Sequence, residues 1–173
     1  MRRLAFLAIF LPGAVWAQVA LVTDLAGSAG KLAILSEVHA ETAVQLDGAM
    51  TVLYYSSGDE YSMKGPARIV FGPMEPKVVQ GAPPRRVSSA AKPGALKPGG
   101  LAPATFVMRS KVSPELRAQI EAARPSANAP VAERVRFAAW LEQLHLKDEA
   151  RAYWKALAAE RPDSPQLKEL AAR

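Results

Sequence analysis

Ala49-Met50-Thr51-Val52-Leu53-Tyr54-Tyr55-Ser56-Ser57-Gly58-Asp59-Glu60-Tyr61-Ser62-Met63-Lys64-Gly65-Pro66-Ala67-Arg68-Ile69-Val70-Phe71 decides the fold. It reads as three short strands with a turn after each of the first two. Residues 50–55 are β-branched, aromatic or long and apolar, the composition of a strand. Ser56-Ser57-Gly58-Asp59 is a turn in which Gly58 can take a positive φ. Residues 60–63 alternate polar and apolar, Lys64-Gly65-Pro66 interrupts, and residues 67–71 alternate again with Arg68 facing out. Val52 and Tyr54 point one way, Leu53 and Tyr55 the other. Apolar side chains on both faces predict a central strand covered on both sides.

The pattern extends upstream. A strand is predicted over 19–25, closed by Ala26-Gly27-Ser28-Ala29-Gly30, and a short apolar strand over 32–35. Residues 37–41 are polar and read as a loop. Residues 43–46 read as a strand ending at the tight-turn dipeptide Asp47-Gly48. Strands thus recur about every ten residues with turn signals between them, the mark of a small sandwich or barrel. No helical period precedes residue 113. The predicted class is α+β, segregated: a small all-β, sandwich- or barrel-like domain over 18–80, then a helical tail over 113–173.

Val22-Thr23-Asp24-Leu25-Ala26-Gly27, followed by Val52, then Ser57-Gly58-Asp59-Glu60-Tyr61 and Gly65-Pro66-Ala67-Arg68, resembles the FecR-like β domain of bacterial envelope proteins over about residues 19–80. Val44-Gln45-Leu46-Asp47-Gly48 stands where that family has a Gly-Asp-x-Ile-x-Thr-Gly element. The resemblance implies a fold and an envelope compartment, and does not extend to iron signalling.

The N-terminus agrees with that compartment. Arg2-Arg3 precedes the apolar residues 4–11, Pro12-Gly13 ends them, and Val15-Trp16-Ala17 suits a cleavage site. A signal peptide is predicted over 1–17, cut between Ala17 and Gln18. The alternative, an uncleaved anchor continuing to Val22, is interrupted by Pro12-Gly13, and a span needs about 20 apolar residues. The chain of 173 residues has no cysteine, which excludes disulfides, thiolate metal sites and a lipidated N-terminal cysteine. The predicted location is the periplasm or the exterior, with no membrane span after cleavage.

The formal net charge is +6, unevenly spread. Residues 18–84 carry 7 acidic and 4 basic groups, and residues 112–173 carry 9 and 10. Residues 85–111 carry 6 basic groups and no acid. Within this stretch, 81–103 holds five prolines, four glycines and Arg85, Arg86, Lys92 and Lys97. It reads as an unordered, protease-sensitive connector. Its four cations are candidate contacts for an anionic envelope polymer or lipid head group, and the competing reading is a solvated loop. Nucleic acid is not expected, because the cations are few and not interleaved with aromatics. Residues 104–110, with Ala104-Thr105-Phe106-Val107-Met108, read as one more strand returning to the sheet.

Ser113-Pro114-Glu115 starts a helix with an N-cap serine and a proline at the first position. Arg124-Pro125 ends it, and Pro130 opens a second with Phe137, Trp140, Leu141 and Leu144 on one stripe. A third carries Ala150, Tyr153, Trp154 and Leu157, and Ser164-Pro165 starts a last short one. Ala138, Leu141, Ala150, Trp154 and Pro162 make residues 131–162 resemble one tetratricopeptide unit, with Arg134 in place of the usual tryptophan and His145 in place of the inter-helix glycine. The resemblance implies a concave partner-binding face at Val135, Ala139 and Glu142, for an unidentified periplasmic or envelope protein. On that reading Ala139→Arg leaves the melting temperature nearly unchanged. The competing reading is a structural hairpin packed on its own β domain.

Catalytic chemistry is not apparent. His39 lies near Glu37 and Glu41 without the spacing of a metal site, and His145 reads as a capping or surface residue. Gly27-Ser28-Ala29-Gly30 is neither a nucleophile elbow nor a phosphate loop. Asp24, Asp59 and Glu60 read as solvated acids, and Tyr54 and Tyr55 as core aromatics rather than a sugar platform. The expected function is an exported, non-enzymatic envelope protein without cofactor or metal, acting as scaffold or protein-interaction module. The alternative is a binding module for cell-wall or surface polysaccharide that uses aromatics and the basic connector.

Overall fold

A computed structural model describes residues 17–87, 96–98 and 112–173. The leader before Ala17, Lys92 and the strand expected over 104–110 lie outside the described residues. Among these residues seven strands, β1 (Gln18–Ser28), β2 (Glu37–His39), β3 (Ala43–Tyr54), β4 (Glu60–Lys64), β5 (Ala67–Phe71), β6 (Pro76–Gln80) and β7 (Arg85–Val87), precede four helices. These are α1 (Pro114–Ala122), α2 (Val131–Gln143), α3 (Lys147–Glu160) and α4 (Pro165–Ala172). The class is α+β with segregated halves.

β3 is the trunk of an antiparallel sheet in the order β2-β1-β3-β4-β7. Its second half lies between β1 and β4, with Val52 opposite both Val22 and Tyr61. Its first half pairs with β5, which pairs in turn with β6. The strand therefore serves two sheet sections and bends between them. Asp47-Gly48 is that bend, not the turn expected there. Gly27 of β1 lies directly opposite Gly48, with φ of 101° and 114°. A Cβ on Gly27 would stand 2.1 Å from the Asp47 carbonyl oxygen, and one on Gly48 2.0 Å from that of Ala26. Positive φ and close approach both demand glycine, so a kink inside a strand carries the same residue signal as a turn.

Other boundaries also differ from the sequence reading. Residues 32–35, expected as a strand, are turns, closed by the Leu32 N–H to the Ala29 carbonyl (3.1 Å) and the Ser36 N–H to the Ala33 carbonyl (3.0 Å). The polar stretch expected as a loop contains β2, an edge strand beside β1. β7 lies inside the segment expected to lack order.

The two faces of β3 enter different cores. Val22, Met50, Val52, Tyr54, Met63, Ile69 and Phe71 form a core made by strands alone. Leu21 and Leu53 join Ile120, Val135, Phe137, Leu141, Trp154, Leu157 and Leu167 in a second core shared with the helices. The trunk strand is covered on both sides, as its two apolar faces require.

The helices start where capping chemistry places them. Ser113 Oγ accepts from the Leu116 N–H (3.2 Å) and Ser164 Oγ from the Leu167 N–H (3.5 Å), each just before a first-turn proline. His145, at the α2–α3 junction, has φ 62°, the left-handed conformation that glycine supplies in similar helix pairs. Trp154 is fully buried and donates its indole N–H to Glu142 Oε1 at 3.2 Å. Residues 134–141 of α2 are all buried, because α2 packs on α3 on one side and on β1 on the other.

Candidate binding surface

The face expected to meet a partner is already occupied. Val135 and Ala139 are fully buried in the core that contains Leu21 and Leu53, and Glu142 is half-buried holding Trp154. A single hairpin has no neighbouring repeat to cover its second apolar side, and the chain's own sheet covers it. Polar contacts fix the docking. Arg136 of α2 meets Glu60 of β4 at 2.9 Å, each side chain only 4% exposed. Arg161 meets Asp24 of β1 at 2.9 Å. The Gln143 amide donates to the Lys97 carbonyl (3.0 Å) and accepts from its N–H (3.2 Å), while Leu96 is buried in the helical core. The connector is thus anchored by β7 and again at residues 96–98, contrary to the expectation of an unordered 81–103.

The acids read as solvated are engaged. Asp24 and Glu60 form the two pairs above, and Asp59 accepts from Arg86 at 2.6 Å. Among the described residues no group of three or more histidine and acidic side chains is placed to hold a metal ion. Tyr54 is fully buried, and Tyr55, half-buried, donates its hydroxyl to Glu37 at 3.0 Å. Burial pushes both phenols above the ordinary tyrosine range, with the charge of Glu37 adding to the effect at Tyr55 and Tyr61 and Glu75 at Tyr54.

The remaining candidates are the cations. Strand parity sorts β4: Tyr61 and Met63 face the all-strand core, while Glu60, Ser62 and Lys64 share the helical side. Across the ladder Val87 lies opposite Glu60 and Arg85 opposite Ser62. Helical cover reaches Glu60 through Arg136. Beyond it Ser62, Lys64, Arg85 and Val87, with Ala82 and Pro83 of the approach to β7, line a cleft of about 660 Å³. Lys64 and Arg85 are exposed, and among the described residues neither forms an ion pair. Arg86 borders the same cleft, but Asp59 holds its guanidinium, and that hydrogen bond and charge keep it protonated beyond its usual range. Lys97 is exposed at the end of α2, tied through its backbone to Gln143.

Of the three expected cations among the described residues, Arg85 therefore presents an uncompensated charge in the cleft, and Lys64 joins it from a different strand. In the sequence Lys64 stands in the strand-interrupting triplet Lys64-Gly65-Pro66. Its relation to Arg85 depends on the β4–β7 pairing, for which no local signal exists. A second cleft of about 470 Å³ lies between the α1–α2 connection and α3. Its cations are satisfied: Arg134 forks onto Glu160 (both contacts 2.5 Å), and Arg124 onto Glu121 (2.7 and 3.0 Å). Arg134 lifts no barrier to a ligand there, because its fork already holds a carboxylate.

Comparison with family models, curated proteins and solved structures finds no match to this chain. No helix among the described residues is long and apolar enough to cross a membrane.

Proposed function

We propose that this chain is an exported, non-catalytic envelope protein whose sheet and helices form one scaffold, and that the cleft between β4 and β7 contacts an anionic envelope polymer. The observation that carries the reading is the placement of Lys64 and Arg85 on one face, just past the helical cover and without an ionic partner among the described residues. Two uncompensated cations in a concave site concentrate anions. The FecR-like and leader-like stretches support the compartment. The helical hairpin acts in this reading as a structural layer, since its expected docking face is buried.

Two measurements test it. Protein recovered from the periplasm has an intact mass that starts at Gln18, and a species retaining Met1 in the membrane fraction means an anchor instead. The mature protein is retained on insoluble peptidoglycan at low ionic strength and released as salt shortens the Debye length from about 30 Å at 0.01 M to about 3 Å at 1 M. Protein that passes through unretained at low salt rules out peptidoglycan as that polymer.

A further inference from the structure

We infer that the β4–β7 cleft is a phosphate site, and that the polymer it selects is a phosphate-bearing glycan. The inference rests on the polymer-binding reading above and gives it a chemical class.

Three donors face the cleft from two strands. Ser62 and Arg85 are directly opposite in the antiparallel ladder, which sets their Cβ atoms about 4.5–5.5 Å apart. Lys64 lies two residues along β4 on the same face, about 7 Å farther on. The guanidinium offers a planar fork, the ammonium a compact point charge and the serine a hydroxyl. A carboxylate has two oxygens in one plane and is satisfied by one fork. A phosphate ester has oxygens in a tetrahedral array, so it can occupy the Arg85 fork while another oxygen meets Lys64 or Ser62. The cleft is also much larger than a phosphate group. Beside Arg86, which Asp59 holds, Ala82, Pro83 and Val87 give the cleft an apolar wall that suits the carbon face of an attached sugar ring.

Lipid is the weaker source of the same phosphate. Surface binding to a bilayer combines basic residues with an apolar flank that inserts. Of the exposed large apolar side chains among the described residues, Val87 borders the cleft, while Met74 and Val79 belong to the β5–β6 turn and β6.

The experiment is a binding titration of the mature chain against a phosphomannan, polygalacturonate of matched charge density, and vesicles containing an anionic phospholipid, at fixed ionic strength. The phosphomannan binds about tenfold more tightly than the polycarboxylate, the value of roughly one charge-assisted hydrogen bond. Lys64→Gln and Arg85→Gln each weaken it about tenfold, Arg85→Lys weakens it less, and Lys155→Gln, exposed on α3 and outside the cleft lining, leaves it nearly unchanged. All three side chains are exposed, so the variants melt with the wild type. Equal affinity for polygalacturonate, tighter capture by vesicles, or an equal loss in Lys155→Gln overturns the assignment. Retention on peptidoglycan without preference for phosphomannan overturns the phosphate class and leaves the polymer reading standing. Failure to bind any polymer removes both.

Discussion

On one side of β3, Val52 and Tyr54 enter a core built from strands alone. On the other, Leu53 and Tyr55 meet the helices. The strand core is formed by chain neighbours that pair in register, and apolar contact with local turns is enough to define it. The helical side must join segments far apart in sequence, and apolar contact is non-directional. That side carries Arg136–Glu60, Arg161–Asp24 and the Gln143–Lys97 pair as well. The difference teaches that burial supplies the attraction on both faces, while directional polar contacts set the position of the helical layer. The same layer stops at Glu60, and its edge leaves Lys64 and Arg85 open.

The largest expected effect comes from forcing the helical face apart. Ala139 is fully buried, so Ala139→Arg inserts an unpaired charge and a long side chain into a filled core. Together these cost about 5 kcal/mol, and the variant shows a lower melting temperature or no cooperative unfolding. This reverses the expectation from the tetratricopeptide-like spacing that the substitution is silent. A wild-type melting curve for Ala139→Arg means that α2 does not rest on the sheet in solution, and the two-core description fails.

The buried pair sharpens the contrast. Arg136→Met takes the guanidinium away from Glu60, and breaking such a pair costs about 3–5 kcal/mol. Replacing both partners, Arg136→Met with Glu60→Leu, recovers most of that loss, because apolar groups of similar size fill a buried site without desolvation cost. Urea denaturation of the two single variants and the double variant closes the cycle. If the double variant is as unstable as the singles, the pair holds the layer by more than mutual neutralisation.

The strand core and the helix starts were legible because their signals are local. Alternation over 50–55, 60–63 and 67–71 placed three strands and their faces, and Ser-Pro pairs placed α1 and α4. β2 and β7, three residues each, lie on sheet edges, where one-sided pairing leaves little alternation to read. Gly48 misled because kink and turn both need positive φ. The burial of Val135 and Ala139 had a visible cue: α2 carries apolar or small residues on both sides, Val135 and Ala139 opposite the Phe137, Trp140 and Leu141 stripe. What the second side would meet was not visible, since tertiary contact decides it. The cleft was least legible, because Lys64 and Arg85 meet through strand pairing across more than twenty residues.

The smallest effects come from the two adjacent tyrosines, which probe the two faces with the same side chain. Tyr55 donates to Glu37 on the helical side, so Tyr55→Phe loses a hydrogen bond to a charged group and is destabilised by about 1–2 kcal/mol. The Tyr54 hydroxyl is buried in the strand core and finds no hydrogen-bond partner among the described residues. Tyr54→Phe removes a desolvated polar atom while keeping the ring against Tyr61, 5.6 Å away edge to face, so it is neutral or stabilising by about 1 kcal/mol. Alkaline pH enlarges this gain. The folded state holds the Tyr54 phenol above its ordinary range, whereas the unfolded chain ionises near pH 10. Above that pH the unfolded state loses protons that the folded state retains, so the stability contributed by the neutral phenol, complete below pH 10, drains away as pH rises. Tyr54→Phe does not have this liability. Its advantage over wild type therefore grows by about 1.4 kcal/mol between pH 8 and pH 11, one pH unit past the unfolded pKa. Urea midpoints at the two pH values measure it, and an advantage that is the same at pH 8 and pH 11 means the Tyr54 hydroxyl reaches solvent.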